Sequence, residues 1–174
     1  MPDKDTRTSF SKEDLLAMTR GELFTPESPR FPRDHMMMVD RIREINDHGG
    51  NHQSGIVVGE LDINPDLWFF DCHFPSDPVM PGCLGLDAMW QLAGFYLAWH
   101  GHQGVCRALG VGSVRFGGQV LPESRLIEYY INIKRKRSKP FPQVFANAFM
   151  HVDGTEVYGA QNLHIGVFPK TTPT

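Results

Sequence analysis

The sequence has 174 residues, 41% of them hydrophobic, and a formal net charge of -3. This length fits one domain with one sizeable core. The slightly acidic balance argues against bulk nucleic-acid binding, which is usually accompanied by a strongly basic charge. Three cysteines, no signal-peptide pattern at the N-terminus and no disulfide-dense spacing predict a cytoplasmic protein. The longest apolar run contains Asp87 and Gln91 and is too short to cross a bilayer, so no membrane span is expected.

The N-terminal part predicts a short helix followed by an extended arm. Ser11-Lys12-Glu13-Asp14 has the pattern of a capping box before an apolar run, and the helix is expected to end near Gly21. Three prolines within residues 25–33 predict an extended connection. Strands are expected at residues 36–45 and 54–63, joined by a turn-rich loop.

The segment from Leu67 to Trp99 is the one around which the rest of the chain is organised. From Leu84 to Trp99 almost every residue is apolar on all sides of a helical projection, which is typical of a helix covered on every face. Asp87 is an exception, and a carboxylate in such a helix needs a structural partner or a chemical role. Because the helix needs cover on every side, part of it is expected to lie against a second subunit of a homodimer.

The C-terminal part predicts antiparallel strands after a glycine-containing break at residues 101–104. The expected strands cover residues 107–116, 125–134, 143–152 and 156–167. Asp153-Gly154, between the last two, predicts a tight type I′ turn. One long apolar helix and several strands indicate an α+β fold in which a curved sheet surrounds the helix. Residues 1–174 then form one domain, with a helix and arm in residues 1–33 and a loose tail at 169–174.

Three neighbouring strings form one long motif: His73-Phe74, Asp77-Pro78-Val79-Met80-Pro81-Gly82 and Asp87-Ala88-Met89-Trp90-Gln91. It resembles the active-site segment of the 3-hydroxyacyl-[acyl-carrier-protein] dehydratases, and the resemblance extends from about Lys12 to Phe168. The resemblance implies a hotdog fold, in which an antiparallel sheet wraps a long central helix, and a homodimer. General dehydratases of this group carry Glu on the helix. With Asp at position 87, the segment is more similar to that of the 3-hydroxydecanoyl-[acyl-carrier-protein] dehydratase/isomerases of fatty acid synthesis. Ser76 stands where a Gly is expected, which concerns the loop geometry more than the chemistry.

Eliminating water from a 3-hydroxyacyl thioester requires a base at C2, a stabilised thioester oxygen and an acid for the departing hydroxyl. Imidazole is a base near neutral pH, so His73 is the expected proton acceptor. Burial favours the neutral form of a carboxyl group, so Asp87 is expected to supply or position the leaving-group proton. Gly82, at the helix start, offers a backbone N–H as oxyanion donor. Gln91, one turn after Asp87, is expected to orient its carboxyl group.

Val79 and Cys83 are expected to belong to the same substrate-binding region as Gly82. Isomerisation of the trans-2 to the cis-3 double bond needs no further catalytic groups, because His73 and Asp87 can remove the proton from C4 and return one to C2. The resemblance implies that these two residues come from different subunits. No cofactor is expected. No metal is expected either, because the Cys and His residues lack the spacing of metal ligands.

The resemblance also implies an acidic acyl carrier protein as partner. Five basic residues could attract it by long-range electrostatics, although a solvated face is the simpler interpretation of the same charges: Lys134, Arg135, Lys136, Arg137 and Lys139. Two other functions stay open, an acyl thioesterase on the same fold and a non-catalytic acyl-binding dimer. Release of free thiol would identify the thioesterase. Ligand binding and biological function that both survive His73→Ala or Asp87→Asn would indicate the binding protein.

Overall fold

A computed structural model of the protein describes residues 4 to 170. Within them the chain forms three α-helices, a 3-10 turn at Asp34–Met36 and seven strands. The helices are α1 (Lys12–Arg20), α2 (Trp68–Cys72) and α3 (Gly82–Trp99). The strands are β1 (Arg41–Asn46), β2 (Ile56–Asp62), β3 (Val105–Gly110), β4 (Ser113–Phe116), β5 (Leu126–Arg137), β6 (Gln143–Val152) and β7 (Thr155–Phe168). Most of the predicted loose tail, residues 171–174, lies outside the described part of the chain, as do residues 1–3.

The seven strands form one antiparallel sheet. Its order is β1-β2-β5-β6-β7-β3, and β4 pairs with β7 on the same side as β3. The register shifts within the β3–β7, β5–β6 and β6–β7 pairs, and such irregularities bend strands and increase their twist. α3 packs against β2, β3, β5, β6 and β7. The predicted α+β hotdog fold, with a sheet around a long helix, is confirmed.

Local signals set several boundaries where they were expected. α1 follows a capping box in which Ser11 and Asp14 bond each other's backbone N–H, and it ends at Gly21 with a φ of 80°. A left-handed residue of this kind ends a helix at little cost when it is glycine. Asp153 and Gly154 both have positive φ, 48° and 84°, as a type I′ turn requires. β6 has its predicted bounds.

The strand expected from residue 36 begins only at Arg41, so this prediction was wrong at its start. The carbonyl of Met36 and the N–H of Met38 bond the side chain of Gln91 on α3, and not a neighbouring strand. These residues therefore form a connection that is anchored to the helix. The pattern of apolar residues along them resembles a strand, but the partner of their backbone lies far away in sequence.

The single strand expected over residues 107–116 is interrupted and forms β3 and β4. The register of β3 against β7 shifts before Gly110, and the Gly112 N–H donates to the carbonyl of Gln161 at 2.8 Å. Glycine weakens a strand and permits a local change of direction. β5 extends to Arg137 and so includes residues that were expected to follow it. The short helix α2 was not predicted.

α3 is completely buried only in its C-terminal half, where residues 92–99 all lie in the core. Phe95 is met edge-on by Phe10, Phe24 and Phe31 at centroid distances of 4.8, 5.5 and 6.3 Å. Such contacts are favourable between aromatic rings. They attach the N-terminal segment and its arm to the helix.

The N-terminal half of α3 keeps one face partly open. The residues of this uncovered stripe are spaced by three or four positions, so they lie on one side of the helix: Cys83, Leu86, Asp87, Trp90 and Gln91. Asp87 is thus half-buried in the protomer, and the expected cover on every face is missing here.

A polar cluster surrounds Asp47 at the other end of α3. Its carboxylate accepts hydrogen bonds from Tyr96 Oη at 2.5 Å, His100 Nε2 at 2.8 Å and Lys136 Nζ at 3.1 Å, and it also pairs with Lys4. Burial lowers the pKa of His100, an effect that outweighs the opposing attraction of Asp47. His100 is therefore held mainly as a neutral donor, and the cluster joins the β1–β2 loop, α3, β5 and the N-terminal segment.

This lowered pKa predicts a loss of stability in mild acid. The unfolded chain, with an ordinary histidine pKa near 6.5, binds more protons than the folded one, so the free energy of unfolding falls as the pH falls through about 6.5. We expect urea denaturation at pH 7.5 and 5.5 to show this decrease, and His100→Gln, which keeps a donor without titrating, to reduce it. An identical decrease in the variant would contradict this origin.

Candidate active site

The ring of His73 is held in one orientation by the loop that follows it. His73 lies at the C-terminal end of α2, and its Nδ1 is 2.8 Å from the carbonyl oxygen of Val79. The Val79 N–H in turn donates to the His73 carbonyl at 2.8 Å. A carbonyl oxygen only accepts, so Nδ1 carries the proton and Nε2 of the neutral ring keeps its lone pair. Nε2 is therefore the atom that can act as a base.

The loop between His73 and Val79 is closed by its own backbone. Phe74 and Asp77 exchange two N–H to carbonyl hydrogen bonds of 3.0 Å each. The His73–Phe74 peptide bond is cis, and the two rings stack with centroids 3.9 Å apart. Ser76, where a Gly was expected, does not have a positive φ. The loop thus takes this shape without needing glycine at that position.

The start of α3 presents unpaired backbone donors to a cavity. The first N–H groups of a helix have no partner within it, and those of Gly82 and Cys83 donate no hydrogen bond within residues 4–170. Both residues line an open cavity of about 840 Å³, whose walls also include Leu86, Phe116, Gln119 and Tyr158. Because the helix dipole is positive at this end, negative charge that develops on a ligand here is stabilised.

Glycine at the first position of α3 also lets the ring of Phe116 pack closely against the helix. A Cβ at Gly82 would lie 2.9 Å from Cε1 of Phe116, closer than side-chain atoms approach one another. The residue expected to offer a backbone donor therefore also contributes to the packing at the start of α3.

The carboxyl group of Asp87 is held by Gln91, as the spacing of the two residues suggested. Gln91 Nε2 donates to Asp87 Oδ2 and to the carbonyl of Met36, both at 2.7 Å, and Gln91 Oε1 accepts from the Met38 N–H at 3.2 Å. Because the Met36 carbonyl needs a donor and the Met38 N–H needs an acceptor, the side-chain amide of Gln91 can take only this one of its two flipped orientations. Oδ2 of Asp87 therefore accepts a hydrogen bond, and Oδ1 is left for another partner.

Asp87 borders a second cavity of about 220 Å³, between α3, β3 and the N-terminal arm. Phe31 and Trp90 are among the residues that line it, whereas His73 is not. No hydrogen bond joins His73 and Asp87 in the part of the chain that the structure describes. A single protomer thus brings Gln91 to Asp87 and Val79 to His73, but it does not bring the two expected catalytic residues together.

The basic residues divide into two groups by the groups that they contact. Lys136 bonds the carboxylate of Asp47 and the hydroxyl of Tyr96, both at 3.1 Å, on the helix side of the sheet. Arg135 lies 4.1 Å from the ring centroid of Phe145, and Arg137 lies 5.7 Å from it. Part of the charge of Lys136 is therefore neutralised, and the two arginines form the more accessible cations.

Lys134 and Lys139 complete this basic surface. Lys134 Nζ donates to Asn162 Oδ1 at 2.9 Å and remains exposed, and Lys139 is exposed in the loop after β5.

Within residues 4–170, no group of three or more His, Cys, Asp or Glu residues is arranged to hold a metal ion. Cys72 and Cys83 are exposed free thiols, and burial raises the pKa of the Cys106 thiol to about 12.

Across residues 4–170, none of the helices is both long enough and apolar enough to span a membrane.

Several neighbours of the site were not anticipated from the sequence. The main chain at Met36 and Met38 anchors Gln91, and Phe116 and Tyr158 line the cavity at the start of α3. These residues lie in segments distant from the motif, and no local pattern marks them as its partners.

Solved structures that share this fold at low sequence identity include the following three. The dehydratase heterocomplex ApeI:P from Xenorhabdus doucetiae is 15% identical with a TM-score of 0.64, over 80% of this chain and 88% of that chain. Cj0977, a sigma28-regulated virulence protein from Campylobacter jejuni, is 12% identical with a TM-score of 0.57, over 91% and 92%. A hypothetical thioesterase with coenzyme A from Streptococcus pneumoniae is 11% identical with a TM-score of 0.54, over 75% and 87%.

The sequence comparison is more specific than these likenesses of fold. A sequence model of the FabA-like domain matches residues 31–161, which include the motif, α3 and most of the sheet. The chain therefore belongs to the FabA-like domain family.

Proposed function

We propose that the protein is a 3-hydroxyacyl-[acyl-carrier-protein] dehydratase that also moves the new double bond. The observation that carries the proposal is the hydrogen bond from His73 Nδ1 to the Val79 carbonyl. It commits Nδ1 to the loop and leaves Nε2 as a base in a solvent-accessible ring. Family membership supports a dehydratase or a thioesterase, and a base whose ring is fixed with one free lone pair suits the proton abstraction of a dehydration.

Dehydration needs three events at one thioester. Nε2 of His73 takes the proton from C2, and the electron pair moves toward the thioester carbonyl, whose oxygen gains negative charge. The Gly82 N–H at the positive helix end stabilises that charge. When the C2–C3 double bond forms, the C3–O bond breaks, and Asp87 gives its proton through Oδ1 to the departing hydroxyl. Water and a trans-2-enoyl thioester leave the site.

Isomerisation uses the same groups. A base removes a proton from C4 of the trans-2-enoyl thioester, the carbonyl oxygen again carries the charge, and a proton returned to C2 gives the cis-3 product. We propose that His73 and Asp87 serve both steps. The chain has Asp at position 87, where general dehydratases of this group have Glu. This difference extends the proposal from a dehydratase to a dehydratase/isomerase.

A homodimer is part of this proposal. β3 ends the strand order of the sheet and is mostly exposed, so its backbone can pair with another strand. It adjoins α3, whose uncovered stripe needs a partner surface. Two-fold symmetry would let His73 of one protomer reach Asp87 of the other, which supplies the contact that one protomer lacks.

The substrate is proposed to arrive on acyl carrier protein, with a medium-length chain such as 3-hydroxydecanoyl, in fatty acid synthesis in the cytoplasm. The basic surface supports an acidic partner because Arg135 and Arg137 are exposed and free of carboxylate partners within residues 4–170. Opposite charges of this kind mainly accelerate encounter. No cofactor is needed for the chemistry.

The direct test is incubation with a 3-hydroxydecanoyl thioester, followed by mass and double-bond analysis of the products. We expect trans-2- and cis-3-decenoyl thioesters without free thiol. His73→Ala and Asp87→Asn should lower dehydration by on the order of 100-fold or more, because each removes a proton-transfer group. His48→Ala and Asp66→Asn, the same changes at exposed positions, should be neutral. Release of thiol would favour a thioesterase, and near-normal turnover by His73→Ala would refute the proposed mechanism.

The carrier surface has its own test. Reversing two charges with Arg135→Glu and Arg137→Glu should lower kcat/KM for the carrier-bound substrate by about tenfold at low ionic strength, and added salt should shrink the difference. A short thioester mimic should be turned over as before. Arg125→Glu with Lys170→Glu, an equal change of charge at exposed positions outside the cluster, serves as control. Equal slowing of the carrier-bound substrate and the mimic would remove this docking surface.

A further inference from the structure

Tyr158 on β7 has a hydroxyl group that the fold does not use. The residue is 4% exposed, yet its hydroxyl makes no hydrogen bond within residues 4–170. Two other side-chain atoms without partners, Trp90 Nε1 and Tyr129 Oη, are completely enclosed. The Tyr158 hydroxyl differs from them because the residue lines the cavity of about 840 Å³ at the start of α3.

The packing of Tyr158 places its ring beside the first turn of α3. Cε2 of the ring lies 2.8 Å from the position that a Cβ on Gly85 would take, so only glycine lets the ring approach so closely. Gly85 follows Gly82 by three residues and therefore lies on the same side of the helix. Phe116 packs edge-on against Tyr158 at 4.7 Å and covers Gly82. Tyr158 and the Gly82 N–H thus border the same end of the cavity.

A thioester carbonyl oxygen that gains negative charge can accept more than one hydrogen bond. Sites that stabilise such an oxygen commonly aim more than one fixed donor at it. Gly82 offers one backbone N–H, and the phenol is a neutral side-chain donor whose ring packs against the first turn of the helix at Gly85. We propose that the Tyr158 hydroxyl donates a hydrogen bond to the thioester carbonyl oxygen, beside the Gly82 N–H. This role rests on the proposed dehydratase function.

Two properties suit Tyr158 to that role. Burial raises its pKa, and the neighbouring Cys83 thiol adds to this effect, so the phenol remains a donor at neutral pH. The ring is held by Gly85 and Phe116, so little conformational entropy is lost when the hydroxyl meets a ligand. A donor without an internal partner also has no hydrogen bond to give up on binding.

The test compares Tyr158→Phe with Tyr129→Phe. Both variants lose one tyrosine hydroxyl from the same sheet, and neither hydroxyl has a partner within the described residues, so both variants should fold as the wild type does. With a 3-hydroxydecanoyl thioester of a short thiol, kcat should fall on the order of 100-fold in Tyr158→Phe and stay unchanged in Tyr129→Phe. Wild-type kcat in Tyr158→Phe, or an equal loss in both variants, would overturn the proposal.

A spectroscopic measurement separates direct contact from a structural effect. A decanoyl thioester labelled with ¹³C at its carbonyl cannot be dehydrated, and its bound carbonyl stretch reports the hydrogen bonds to the oxygen. The stretch should lie at lower frequency in the wild type and in Tyr129→Phe than in Tyr158→Phe. Identical frequencies in all three would overturn the contact. Hydrolysis of this probe by the wild type would instead contradict the proposed function, so the two failures are distinguishable.

Discussion

The incomplete cover of α3 is the constraint on which the rest of the structure depends. One sheet and the aromatic cluster around Phe95 enclose the C-terminal half of the helix. The N-terminal half carries the carboxylate of Asp87, so it cannot be sealed in the same way. Desolvating Asp87 entirely, without a second charge, would cost several kcal/mol. The fold resolves this conflict by leaving the uncovered stripe on one side of the helix and cavities at both of its edges.

The candidate catalytic groups are oriented by main-chain atoms more than by other side chains. His73 is held by the carbonyl of Val79, and Gln91, which holds Asp87, is itself held by the backbone of Met36 and Met38. Backbone anchors vary little with sequence and fix both the tautomer of a ring and the direction of an amide. Pre-orientation of this kind reduces the reorganisation that accompanies proton transfer.

The features of the fold and of the site that could be predicted from the sequence are those that depend on residues close together in the chain. The capping box at Ser11 and the turn at Asp153 depend on adjacent residues, and their outcome matched the sequence pattern. The division of the predicted strand into β3 and β4 depends on contacts with β7, and the late start of β1 depends on contacts with Gln91. Both partners are far away in the sequence, so the local alternation of apolar and polar residues predicted these strand bounds incorrectly. The same holds for the site. The spacing of Asp87 and Gln91 within one helix indicated their contact, whereas Tyr158 reaches the cavity only through the folding of β7 against α3.

We propose that a complete site needs His73 from one protomer and Asp87 from another. This proposal is tested most directly by mixing two inactive variants, His73→Ala and Asp87→Asn, under conditions that allow subunits to exchange. A mixed dimer would contain one site with both groups intact, so an equal mixture should recover about a quarter of the wild-type specific activity for dehydration. A mixture that stays as inactive as its two parents, despite demonstrated exchange of subunits, would contradict the account.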